Sequence, residues 1–236
     1  LRPEHQNRNN RSPVELQVNP AEGGEGESVF SGARTKDISV IGEIFRKLIH
    51  LGAIAIPIGY HFLGVRIVIP LLIASLVLSL YLDYIRLFGG RKSRFFVHRY
   101  LGIMIRPSEK RDFIGATYIL SGSILTILLF DKPIAIAAIS FIVIGDTAGA
   151  IIGKLWGRVK FRHKSLEGSL SFFVACVLTS LAIPGIPFWV KIIGAGAATV
   201  VEAITLHIDD NLIVPVTSAA IMQVIVSQMV IMQHFS

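Results

Sequence analysis

The chain is poor in charge and poorer still in cysteine. Of its 236 residues only 17% are Asp, Glu, Lys or Arg, against about 25% in an ordinary soluble domain. The single cysteine, Cys176, lies inside an apolar run, which excludes a disulfide within the chain and any zinc site built on paired thiolates. No stretch interleaves aromatic with basic residues, so the net charge of +7 does not point to nucleic acid; in an apolar chain it reports orientation and anionic headgroups. The first residues lack the apolar core of a secretory signal. Residues 1–37, rich in Asn, Arg, Glu, Gly and Pro ("NPAEGGEGES"), cannot bury enough apolar surface to fold alone and are expected to be a disordered tail.

What the sequence has is hydrophobic residues, 52% of the total, gathered in long runs. A helix needs about 20 apolar residues to cross a bilayer. Seven candidate spans lie near 44–63, 66–82, 113–130, 132–152, 170–185, 186–206 and 212–233. The expectation is an all-α, polytopic integral membrane protein with about seven transmembrane helices, residues 38–236 forming one helical catalytic domain.

Lys and Arg divide sharply between the connections. Seven fall in the tail with Arg46 and Lys47, eight in 83–112 and five in 153–168, while only Arg66, Lys132 and Lys191 fall elsewhere. Basic loops stay cytoplasmic. Seven spans put every rich segment on one side, so the N-terminus is expected in the cytoplasm and the C-terminus outside. The connection 202–215, "EAITLHIDDNLIVP", shares the basic side but is acidic, and so calls for another explanation.

The polar residues are concentrated in a few stretches. In "GDTAGAIIGKLWG", Gly145, Gly149, Gly153 and Gly157 recur every four residues and form one smooth helical stripe. Such a stripe suits close helix packing, or the close approach of a nucleotide to the backbone. Asp146 and Lys154 lie on the adjacent stripe, about 12 Å apart along a helix, too far for an ion pair but within the span of a triphosphate and its metal. An acid inside an apolar run is functional by default. In "HKSLEGS", Ser165 and Glu167 suit a helix start, whereas Lys164 does not, unless an anion binds there. Glu202, His207, Asp209, Asp210 and Asn211 form an oxygen-rich cluster of the kind Mg²⁺ uses together with phosphate, or an ordinary polar loop; Glu202 and Asp209 are spaced to share one helical face. "EIFRKLIH" sets Glu43, Lys47 and His50 on one face, and Asp83 with Arg86 reads as a surface salt bridge.

Taken in order, "EIFRKLIHLGA", "RPSEKRDFIGATYIL", "GDTAGAIIGKLWG", "KSLEGS" and "EAITLHIDDNLIVPVTSA" resemble the dolichol kinase and phytol kinase family, which also holds the CTP-dependent diacylglycerol kinases. The resemblance covers nearly all of 40–225. It implies transfer of the γ-phosphate of CTP to a lipid alcohol (a polyprenol, a phytol-like alcohol or diacylglycerol) with Mg²⁺. Carried over by position, Asp146, Lys164, Glu167 and Asp210 would be catalytic. Gly149, Gly153, Lys154, Gly157, Lys164, Ser165 and Asn211 would bind nucleotide, and Asp146, Glu202 and Asp210 would hold the metal. Many members have alanine where Gly149 stands. Bacterial members often carry the label phosphatidate cytidylyltransferase, and that reaction, with attack on the α-phosphorus of CTP, is the alternative reading. A transporter or lipid-binding scaffold would instead place charge near the midplane and show inverted repeats, which are not evident here.

Overall fold

The structure, a computed structural model, describes residues 50–90, 112–161, 164–204 and 209–234. The tail 1–37, Glu43, Arg46, Lys47, the basic residues of 91–111 and His207 lie outside these described residues.

Each of the seven apolar segments is mostly helical over its described part. A helical turn at His50 leads into α1 (Ala55–Leu63). Gly64, at φ +74°, turns the chain straight into α2 (Val65–Phe88), a backbone conformation that side-chain-bearing residues rarely adopt. α3 spans Gly115–Leu129. α4 (Lys132–Ser140), with Pro133 in its first turn, runs through a π-helical segment, Phe141–Gly145, into α5 (Asp146–Trp156). Two short strands, β1 (Lys160–Phe161) and β2 (Lys164–Ser165), pair antiparallel; hydropathy alone does not foreshadow them. α6 (Leu166–Leu181), α7 (Phe188–Ala203) and α8 (Asp210–His234) follow.

Among the described residues, three stretches are long and apolar enough to cross a membrane by length and composition: Val65–Phe88, Lys132–Trp156 and Asp210–Gln233. His50–Leu63, Gly115–Leu129 and Leu166–Leu181 are apolar but shorter. α6 begins and ends four residues earlier than the sequence suggests, because Ser165 caps it and the run Ile183–Pro187 breaks it.

The stretch Ile134–Val143 explains the core. It is hydrophobic all round, and every residue in it is buried. A helix with no polar face belongs at the centre, and its alanines let α1, α3, α6 and α8 close around it. α2 is the opposite case: it packs against α1 and α3, and much of its length is exposed apolar surface, including Leu71, Val77, Leu78 and Tyr84.

Helix ends meet in pairs. Lys191, at the start of α7, is buried and donates to the terminal carbonyls Ser180 O (2.7 Å) and Ile183 O (2.8 Å) at the end of α6. Lys132 donates to His61 O (2.9 Å) near the end of α1. Carbonyls in a last helical turn have no partner of their own, and these lysines supply one. The other ends of α6 and α7 meet the start of α8, and there the polar residues of interest collect.

Candidate functional site

The glycine stripe runs from the end of the π segment to just beyond α5, and α6 fills the face it presents. A Cβ at Gly145 would lie 2.8 Å from Cys176 Sγ and 2.9 Å from the Phe172 ring. At Gly149 it would lie 3.1 Å from Gly168 O, at Gly153 2.9 Å from Ser165 Oγ, and at Gly157 2.7 Å from Ser165 Oγ. These contacts give the stripe a packing role: it is the seam that lets α5 and α6 touch backbone to backbone. The side of Gly149, Gly153 and Gly157 that lacks a side chain therefore faces α6.

That close seam fixes where β2 and the start of α6 lie. Ser165 Oγ accepts the Gly168 amide at 3.1 Å and so caps α6, the conventional task of a serine at this position. Glu167, one residue into the helix, does not share that cap. Its carboxylate accepts the Val159 amide at 3.1 and 3.3 Å and braces the strand pair from outside.

Lys164 points the other way, into the bundle end. Its ammonium donates to Glu202 Oε1 at 2.6 Å, to the Glu202 backbone carbonyl, and to Asp210 Oδ2 at 2.9 Å. Glu202 ends α7 and Asp210 starts α8, so one lysine ties three elements together. Burial works to lower the Lys164 pKa, but the Glu202 and Asp210 carboxylates overcome it and hold the ammonium above the ordinary lysine value. Glu202 and Asp209 do not share a helical face, as their spacing suggests, because α7 stops at Ala203. Asp209 instead lies before α8, where its side chain accepts the Asn211 amide at 2.9 Å. Asn211 belongs to the first turn of α8, which lies so close to α3 that a Cβ at Gly122 would sit 2.5 Å from Asn211 O.

Asp146 follows the π segment directly. Its Oδ2 lies 3.5 Å from His50 Nε2, which is equally far from Ile142 O. Both of these neighbours can accept a proton from Nε2. Asp146 and Asp210 both lie close enough to Glu202 to repel its charge. Lys164, Glu202 and Asp210 thus come together from three parts of the chain, with Asp146 in electrostatic reach of Glu202, while Lys154 stands exposed on α5.

The donor set bears on a metal. Among the described residues no three His, Cys, Asp or Glu side chains converge closely enough to hold an ion by themselves. Glu202 Oε2 is nevertheless a buried carboxylate oxygen without a hydrogen-bond partner. A Mg²⁺ ion seldom uses an all-protein cage; it takes one or two carboxylates and completes its shell with phosphate and water. These residues fit that second kind of site.

One group escaped the sequence reading. Asp83 is fully buried, not at the surface. It accepts from Arg86 Nη2 (2.8 Å) and Nε (3.2 Å), from the Ile114 amide (3.2 Å) and from Thr117 Oγ1 (2.7 Å). Thr117 Oγ1 also shares a hydrogen bond of 2.7 Å with Ser79, and Arg86 donates to the Asp112 carbonyl. The network locks the end of α2 to the start of α3. Ser79, four residues before Asp83 on the same helix, was the signal for it in the sequence, and nothing there pointed to Thr117.

Comparison with known proteins gives no matching family model and no matching solved structure. Among curated proteins, an uncharacterised protein of Rickettsia prowazekii is 33% identical over 73% of this chain and 89% of its own length. The CTP-dependent diacylglycerol kinase 1 of Schizosaccharomyces pombe is 30% identical over 78% of this chain and 93% of its own length. A probable chloroplastic phytol kinase 2 of Glycine max is 30% identical over 50% of this chain. The chain belongs to the family of dolichol, phytol and CTP-dependent diacylglycerol kinases.

Proposed function

We propose that the chain is a CTP-dependent lipid kinase acting at the cytoplasmic face of a membrane. The observation that carries this reading is Lys164 held between Glu202 and Asp210, with Asp146 near Glu202, at one end of an apolar helical bundle. Transfer of a phosphoryl group asks little covalent work of a protein; it asks for positioning and for charge to be offset. The oxygen of a lipid alcohol attacks the γ-phosphorus of CTP, the bond from that phosphorus to the bridging oxygen breaks, CDP leaves, and the hydroxyl proton passes to water or to a carboxylate of the site. Lys164 and Lys154 offset charge on the phosphate oxygens. Asp146, Glu202 and Asp210 would be the carboxylates available to a Mg²⁺ ion that arrives with the nucleotide, one or two of them directly and the rest through water, and the ion would supply further neutralisation of the phosphates. Asn211 and the backbone around Ser165 border the nucleotide, and Gly149, Gly153 and Gly157 bring that backbone into place.

The acceptor is a long lipid alcohol, of the class to which diacylglycerol and phytol belong. Such a substrate enters sideways from the bilayer, since its chain leaves hydrocarbon only at a cost of about 0.8 kcal/mol per CH₂. The helices form seven crossings, with the N-terminal tail 1–37 and the catalytic end cytoplasmic and the C-terminus outside. The division of Lys and Arg among the connections and the alternating direction of the paired helix ends support this arrangement.

The test uses detergent-purified protein, Mg²⁺, candidate lipid alcohols and CTP labelled at the α- or the γ-phosphate. Label from the γ position should appear in extracted lipid. Label from the α position would make the protein a cytidylyltransferase, and no transfer with any acceptor would make it a non-enzymatic membrane protein.

A further inference from the structure

Glu202 is only 6% exposed, and its two carboxylate oxygens are treated unequally. Oε1 takes the Lys164 ammonium at 2.6 Å, whereas Oε2 is cut off from water and has no hydrogen-bond partner. Leaving a buried acceptor unpaired costs free energy, and more when the acceptor is charged. The second oxygen is therefore open to a proton or a cation, and Lys164, already committed to Oε1, the Glu202 carbonyl and Asp210, supplies neither to it.

The ammonium itself stands where two carboxylates would otherwise hold a metal. It is a compact charge on a flexible four-carbon stem, and its side chain retains 26% of its exposure, so it can leave towards solvent without crossing the core. Among the described residues no three acidic or imidazole groups converge on a common point, so Glu202 and Asp210 are the pair on which a cation here must rest.

We propose that Lys164 is a resident stand-in for a divalent cation. While no nucleotide is bound, its ammonium bridges Glu202 and Asp210 and keeps free Mg²⁺ out. A nucleotide that carries its own Mg²⁺ draws Lys164 onto the phosphates and frees Glu202 and Asp210 for the incoming ion. The site thus accepts the metal–nucleotide complex as one unit and not the metal first. This rests on the kinase reading for the identity of the incoming ligand.

Mn²⁺, followed by electron paramagnetic resonance, probes the full detergent-solubilised chain in the absence of nucleotide. Wild type should show no Mn²⁺ site that depends on Glu202. Lys164→Met, which keeps length and removes charge, should gain one, tighter by about tenfold or more because two carboxylates are left uncompensated. Lys164→Arg should not gain it, and Lys164→Met combined with Glu202→Gln should lose it. If Lys164→Met does not stay folded alone, Mn²⁺ should restore it while leaving the wild-type melting temperature unchanged. The proposal is overturned by a wild-type Mn²⁺ site that Glu202→Gln abolishes, by no gain in Lys164→Met, by a gain that survives Glu202→Gln, or by an unfolded Lys164→Met that Mn²⁺ fails to rescue. Transfer of the γ-phosphate is assayed in parallel on the same wild-type sample. Active enzyme with a nucleotide-independent Mn²⁺ site would refute the exchange alone, whereas inactive enzyme with the predicted Mn²⁺ pattern would refute the kinase reading and keep the exchange.

Discussion

Replacing Asp83 with alanine should be among the most damaging single changes in the chain. Asp83 is 0% exposed and Arg86 is 6% exposed, so neither can recover water when the other is removed. Four donors converge on the Asp83 carboxylate: two from Arg86, one from the Ile114 amide and one from Thr117. Truncating one partner of a buried ion pair leaves an uncompensated charge and costs about 3–5 kcal/mol, against about 0–1 for the surface pair that the sequence suggests. Asp83→Ala and Arg86→Ala should each cost about that larger amount, and the double variant should cost less than their sum by about 1–3 kcal/mol, since the two side chains interact directly. Cys176 supplies the assay. It is the only thiol in the sequence and it is buried, so a thiol-reactive dye reports loss of packing directly in detergent. Losses below about 1 kcal/mol, the range of exposed pairs, would refute the claim that this network is a desolvated anchor, as would strictly additive losses in the double variant.

Three further outcomes follow from the geometry. Asp146→Asn should lower γ-phosphate transfer by about a hundredfold or more while leaving the Cys176 unfolding midpoint near wild type, since it removes a charge that acts on the transferring group; near-normal transfer would remove Asp146 from the site. Gly145→Ala should cost about 1–3 kcal/mol because its methyl meets Cys176 Sγ and the Phe172 ring, and Cys176→Ala should recover part of that loss in a thermal aggregation assay; no recovery would mean that the Phe172 contact alone decides. Ser165→Ala should cost about 1 kcal/mol through the lost cap of α6, and a change smaller than about 0.3 kcal/mol would show that the cap is dispensable.

The apolar segments were legible because hydrophobic run length reports helices directly, and the family was legible because its motifs are local strings. The site was legible only as an inventory. Asp146, Lys164, Glu202 and Asp210 were all nameable from sequence, but their pairing was not, because Lys164 meets its partners 38 and 46 residues away through contacts that no spacing rule encodes. Helical spacing misled at Glu202 and Asp209, since it assumes a helix that ends at Ala203. It served better at the glycines, where every-fourth-residue spacing marked a real stripe whose partner, α6, only the fold identifies. Asp83 was misjudged because a three-residue Asp–Arg spacing looks the same on a wet surface and in a dry interior; the difference lies in Thr117 and the Ile114 amide, more than thirty positions on.

The π-helical segment Phe141–Gly145 has a consequence for chain length. A π turn holds one more residue than the α turn it replaces, so the long central helix carries an inserted residue just ahead of Asp146. Deleting one residue there would let the helix wind regularly, and everything after it would rotate by about 100° relative to everything before it. The glycine seam would swing away from Phe172 and Cys176, and Asp146 would leave the side on which His50 and Glu202 lie. Hydropathy would scarcely change. The phase between a buried anchor and a reactive edge would be lost, so a single-residue deletion in this stretch should be far less tolerable than most substitutions within it.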